Sequence, residues 1–249
     1  MSRQGGLASS SRHASAAQRR AAFAALLCLG FVTSPPGAAQ QAREPPLTQT
    51  RSWTLTGHDL QPSQARPRAH ALRLEMAFLG GTRWSPDVIL ESARHAVAIL
   101  GQCDIHVSIV RLHEFDGPQR YRYLSTPDSR EFARRSRLAR PAVFFVEDTL
   151  QRPAFDAEAV GRSNAKARPE MADTVWVTSA IRDLPIALAH ELVHVLADSG
   201  DHSDAPGNLM REDTAARNTQ LTAAQCRTIV AVGQANGLLG HAVGDEGRR

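Results

Sequence analysis

His190-Glu191-Leu192-Val193-His194 sits inside an apolar run that begins at Ile186-Ala187-Leu188-Ala189 and continues through Val195-Leu196, and a run of this kind predicts a mostly buried helix. On a helix, positions four apart stand one above the other, so His190 and His194 share a face and Glu191 lies beside them. Two neutral imidazoles so placed can grip one zinc ion and leave a coordination position for water. Burying two histidines and a carboxylate is costly unless they are satisfied. The plainer alternative is a core helix whose histidines bond to backbone carbonyls.

The residues that follow favour the metal. After His194 come Val195-Leu196-Ala197-Asp198-Ser199-Gly200-Asp201-His202. Gly200 is the residue expected to end the helix in the left-handed conformation, turning the chain back so that His202 faces the same ion. Asp204-Ala205-Pro206-Gly207 is rich in turn formers and leads to Asn208-Leu209-Met210.

In these features the chain resembles the metzincin clan of zinc peptidases, which carry H-E-x-x-H-x-x-G-x-x-H followed by a methionine-containing turn beneath the metal. The specific part of the resemblance spans 190 to 210. The chain departs from the pattern at Ala197, where the clan has glycine, and at Gly200, where it has its third histidine; His202 follows His194 by eight residues instead of six. The resemblance implies zinc held by His190, His194 and His202, with Glu191 as general base and Met210 shaping the floor below the metal. Asp198 and Asp201 compete for the third ligand position, since carboxylates also bind zinc. A ligand from a later helix would have to be Glu212. The clan also pairs an extended peptide with the strand before the zinc helix, which places the cleft edge in Ala159 to Asn164.

The N-terminus reads as an export signal: Arg19-Arg20, then an apolar stretch from Ala21 to Val32, then Ser34-Pro35-Pro36-Gly37-Ala38-Ala39. About 12 apolar residues are too few for a membrane helix, which needs about 20. Cleavage is expected after Ala39, giving a secreted or periplasmic protein. The chain has 29 basic and 25 acidic residues; Arg3, Arg12, Arg19 and Arg20 precede Gln40 and no acid does, so removing those four leaves 25 of each sign. A neutral mature chain offers no argument for nucleic acid or an anionic membrane surface as partner. Of the three cysteines, Cys28 leaves with the signal, and Cys103 and Cys226 are expected to pair, the alternative being two buried thiols.

The expected organisation is a signal over 1–39, a polar, proline-bearing linker or propeptide-like arm over 40–67, one domain over 68–240 and a flexible tail over 241–249. The domain opens with a strand in His70 to Phe78. Ser85-Pro86 starts a helix whose apolar stripe is Val88, Ile89, Ala93, Val97 and Leu100, and a second strand runs over Ile105 to Leu112. That order predicts a parallel crossover. Ala142 to Val146 and Thr174 to Val177 add two strands, and Thr222 to Gln234 closes the domain as a helix. The fold class expected is α+β with α/β-like order: a mixed twisted sheet and three main helices, as in a metzincin catalytic domain. Between the second and third strands, Arg120, Arg122, Arg130, Arg134, Arg135, Arg137 and Arg140 are expected on a solvated face in a chain nearly devoid of lysine.

The function these residues imply is a secreted, monomeric, zinc-dependent endopeptidase acting on peptide or protein substrates. The alternative is a secreted binding protein in which zinc is a structural staple.

Overall fold

In the computed structural model, the described residues are 44–60, 69–149, 159–162 and 169–241, all within the compact unit Arg43–Arg249. The expected signal over 1–39 and the tail beyond His241 lie outside them. The domain is mixed α/β. Its sheet runs in the order β1 (Thr48–Thr56), β3 (Ile105–Asp116), β2 (His70–Leu79), β5 (Ala142–Val146), β8 (Thr174–Thr178), β7 (Ala159–Arg162), with β9 (Leu239–His241) pairing with the start of β2. β2, β3, β5 and β8 are mutually parallel, whereas β1, β7 and β9 join antiparallel. A one-turn α1 (Gly57–Leu60) follows β1, and a two-residue pair, β4 (Tyr123–Leu124) and β6 (Asp148–Thr149), stands apart from the main sheet.

α2 (Pro86–Leu100) links β2 to β3, the parallel connection expected from the strand-helix-strand order. Ser85 occupies its N-cap position with its backbone carbonyl accepting from Ile89, but its hydroxyl does not cap. α3 (Thr126–Ser136), α4 (Leu184–Ala197) and α5 (Ala223–Ala235) complete the helices, so four helices longer than two turns are described instead of three.

Alternation along the strands sorts side chains to two faces. Leu72, Leu74, Met76, Val143, Phe145, Val175 and Val177 face a core filled by Ile89, Ala93 and Val97 of α2, Leu188, Leu192 and Val195 of α4, and Ile229 of α5. On the opposite face, Ala77, Leu79, Phe144 and Trp176 pack against Phe132 of α3 and Tyr121. Trp176 stacks on Phe144 and Tyr121 on Phe132. α4 is thereby held as a central helix, against α2 on one side and α5 on the other. Cys103 and Cys226 form a disulfide that ties the end of α2 to α5.

Two expectations change. Residues 48–56, read as part of a polar arm, form strand β1, paired with β3 from Thr48 opposite Asp116 to Thr56 opposite Ile109. The reason is the alternation in Thr50-Arg51-Ser52-Trp53-Thr54-Leu55-Thr56: Trp53 and Leu55 pack on the main core, and the threonines suit a pleated edge strand. Of the arginines between the second and third strands, Arg134 and Arg137 are exposed as expected, but Arg120, Arg130 and Arg135 are not simply solvated. Arg120 pairs with Glu44, Asp128 and Glu131, Arg130 pairs with Glu170, and Arg135 donates to the Tyr121 hydroxyl at 3.0 Å. Carboxylates on α3 draw Arg120 and Arg135 into a network around the buried Tyr121, and Glu170 on the turn before β8 holds Arg130. No helix among the described residues is long and apolar enough to cross a membrane.

Candidate metal centre

α4 presents His190 and His194 one turn apart, as their spacing requires. His190 is buried, at 3% exposure, His194 is half-buried and His202 is exposed. The chain turns back at Asp198, whose φ of 46° is left-handed. Asp198 N–H donates to the Val195 carbonyl and Ser199 N–H to the His194 carbonyl, closing the helix with a Schellman motif. Gly200, expected to make this turn, does not have a positive φ. Aspartate tolerates the left-handed region because its short polar side chain bonds locally, so the reversal comes two residues earlier than expected. The consequence for His202 is the same: it reaches the two helix histidines.

Each imidazole on α4 has its Nδ1 occupied. His190 Nδ1–H donates to the Leu209 carbonyl at 2.8 Å, and His194 Nδ1–H donates to the Ser199 carbonyl at 2.7 Å. A carbonyl oxygen can only accept, so both protons must sit on Nδ1 and, in the neutral rings, both Nε2 atoms carry bare lone pairs. These lone pairs face each other at 2.9 Å, with His202 Nε2 3.3 Å from that of His194. Two acceptors in that position repel unless a cation lies between them. Protonating a ring does not meet the need, because burial pushes His190 down to about 4 and lowers His194 as well, the carbonyl bonds opposing this only in part. Within the described residues, the group of three or more ligand-type residues with its donor atoms within 4.8 Å of one another is His190, His194 and His202; Asp198, Asp201 and Glu212 do not join it. The three-histidine group could hold a metal ion.

The loop beneath the cluster is fastened by side-chain amides. Met210, 3% exposed, receives the Asn208 Oδ1 on its N–H at 2.9 Å and gives its carbonyl to Ser203 N–H at 2.7 Å. Asn208 and Gln225 exchange amide hydrogen bonds, Nδ2 to Oε1 at 3.0 Å and Nε2 to Oδ1 at 3.1 Å. Gln225 is at the same time the third residue of α5 in a reciprocal capping box with Thr222. From the other side, Gln102 donates to the Thr219 carbonyl at 2.7 Å and accepts from Leu221 N–H, while Leu209 N–H and Gly207 O bond to Gln220. Gln102 and Gln225 each adjoin a cysteine of the disulfide.

The capping box was readable in Thr222-Ala223-Ala224-Gln225, but its reach to Asn208 was not. The carbonyls of Leu209 and Ser199 carry no residue-type signal at all.

Glu191 is buried beside His190 on α4. β7 packs near α4 as the edge strand of the sheet, antiparallel to β8 from Ala159 opposite Val177 to Arg162 opposite Thr174. A pocket of about 390 Å³ opens beside His194 and His202, with Val193, Met210 and Ile229 on its apolar side and Thr228 and Gln225 on its polar side. No protein-family model matches the chain, and no curated protein matches it.

Proposed function

We propose that the protein is an exported zinc-dependent endopeptidase of metzincin type, acting on extended peptide or protein substrates. The observation that carries this reading is the tautomer argument: backbone carbonyls hold the Nδ1 protons of His190 and His194, so their bare Nε2 atoms converge with that of His202 on one point. Three neutral imidazoles with one open position make a catalytic donor set, whereas a structural zinc site is usually closed by four protein ligands. When bound, zinc would supply Lewis acidity, lowering the pKa of a water it holds to about 7.

The protein's own groups do the rest. The carboxylate of Glu191 accepts the proton of the attacking water and returns it to the nitrogen of the leaving amine. β7, with one side unpaired among the described strands, offers main-chain donors and acceptors to an extended substrate, which would add as a further strand. The pocket beside His194 takes a substrate side chain next to the scissile bond. Met210 packs under the histidines without ligating.

The test is metal content by mass spectrometry together with cleavage of an unstructured protein such as casein. Wild type should bind about one zinc per chain and cleave. Glu191→Gln should keep the zinc and lose turnover by at least a hundredfold, the scale of removing a positioned general base. A Glu191→Gln variant as active as wild type would remove the base from the mechanism. Zinc retained by a wild type with no activity on any peptide would favour the structural staple.

A further inference from the structure

The sheet face that points away from the three histidines carries a second concave site. Arg73 projects to that face because its neighbours Leu72 and Leu74 fill the main core. From the adjoining strands come His106 and Ser108 of β3, Arg140 two residues before β5, and His241 of β9. Together they line a pocket of about 550 Å³ whose wall contains two guanidiniums, two imidazoles and no carboxylate.

Several other arginines of the described structure are held by carboxylates. Arg51 is matched by Glu114, Arg111 by Glu75, Arg120 by Glu131 and Arg130 by Glu170. Neither Arg73 nor Arg140 has an ion pair among the described residues. Arg140 donates one Nη2 bond to the Glu170 carbonyl at 2.7 Å, but its Nη1 is buried with no partner at all. Asp173 acts on Arg140 only through its field, and burial still pushes the guanidinium below its ordinary pKa. A buried cationic donor left unmade is expensive, and a second unpaired cation in the same pocket adds repulsion. Guanidiniums present rigid forks suited to carboxylate and phosphate oxygens. The cost is removed by an anion that brings oxygens to both.

We propose that this pocket is an oxyanion-binding site, in which Arg73 and Arg140, assisted by His106, His241 and Ser108, hold the phosphate-type or carboxylate group of a small ligand. The site is separate from the histidine cluster and does not depend on what that cluster does.

The experiment is calorimetric titration of the full chain with sodium sulfate, which represents phosphate esters, and with sodium succinate, which represents carboxylates, against sodium chloride at matched ionic strength. Saturable binding of sulfate or succinate, absent with chloride, is the expected result, and the tighter of the two identifies the head group. Arg73→Gln, an exposed position whose change should leave folding and metal content as in wild type, should weaken that binding at least tenfold. Arg140→Lys should weaken it too, because one ammonium cannot replace the fork. Equal heats with chloride and sulfate, or wild-type affinity in Arg73→Gln, would overturn the proposal.

Discussion

Asn208→Ala tests whether the loop beneath the histidines is an independent turn or a part held in place for the metal. Asn208 is 3% exposed and makes three hydrogen bonds: it accepts from Met210 N–H and exchanges two amide bonds with Gln225. Removing the side chain forfeits two amide–amide bonds at about 1 kcal/mol each and strands the buried Met210 N–H at about 1–3 kcal/mol. The expected loss is roughly 3–5 kcal/mol, or a fall in Tm on the order of 10 °C for a domain of this size. The same change frees Leu209, whose carbonyl fixes the Nδ1 proton of His190. Groups that orient a ligand through its second nitrogen typically contribute 10- to 100-fold to metal affinity, and we expect zinc affinity to fall by that factor. Calorimetry of the metal-free chain measures the first effect, and competition with a chromogenic chelator the second. Zinc affinity within threefold of wild type, in a variant whose Tm has fallen, would refute the link from Asn208 through Leu209 to His190 and leave the amide pair a purely structural brace.

The helix end makes opposite predictions for neighbouring residues. Gly200→Ala should be neutral or stabilising by up to about 1 kcal/mol, because its φ is not positive and an added Cβ meets nothing within 4 Å, whereas Asp198→Ala should cost roughly 1 kcal/mol for a left-handed residue; urea unfolding of both variants checks the contrast. The disulfide closes a loop of 123 residues in sequence, so Cys226→Ser should lower stability by about 2–5 kcal/mol, read as a lower guanidinium midpoint. In the metal-free protein His190 titrates near 4 instead of near its ordinary 6.5. Between those values the unfolded chain binds more protons than the folded one, so stability is full above pH 6.5 and is lost as pH falls toward 4, by on the order of 3 kcal/mol from this residue. Denaturant melts at pH 7, 5.5 and 4 with chelator present should show that decline, and a flat profile would contradict the burial argument.

What was legible in the chain follows from what the residues themselves encode. Apolar periodicity in Ile89, Ala93 and Val97 and the solid runs at Ala142 and Thr174 placed a helix and two strands where they lie, because burial on one face or both leaves a pattern in side-chain type; Val88, expected in the same stripe, is exposed in the first turn of the helix. The spacing of His190 and His194 announced a shared face for the same reason. Strand β1 was hidden by its setting: Trp53 and Leu55 alternate with threonines, but the prolines on either side suggested an arm, and pairing with β3 is a long-range fact that local composition does not carry. The turn was misplaced because glycine advertises left-handed backbone more loudly than aspartate does, while the choice between Asp198 and Gly200 is made by where the helix can surrender its last carbonyls.

In the sequence Asp198 and Asp201 compete with His202 for the third position, and the structure explains both why His202 reaches the other histidines and why spacing does not say so. The chain between His194 and His202 is set by backbone: Ser199 N–H to His194 O, His194 Nδ1–H to Ser199 O, Ser203 N–H to Met210 O. Asp201 N–H also donates to Ser199 Oγ at 3.0 Å, so the reach of His202 rests on bonds across the whole turn that residue spacing does not encode. Further side chains brace the site from behind. Gln102 and Gln225 flank Cys103 and Cys226, and from the two ends of that bridge they clamp the stretch from Gly207 to Leu221 that carries Asn208, Leu209 and Met210. Residues 123 positions apart thus meet to hold one carbonyl against one imidazole. The disulfide and the loop beneath the histidines are joined through these two glutamines; the capping box marks Gln225 in the sequence, but no motif marks Gln102 or the reach of Gln225 to Asn208.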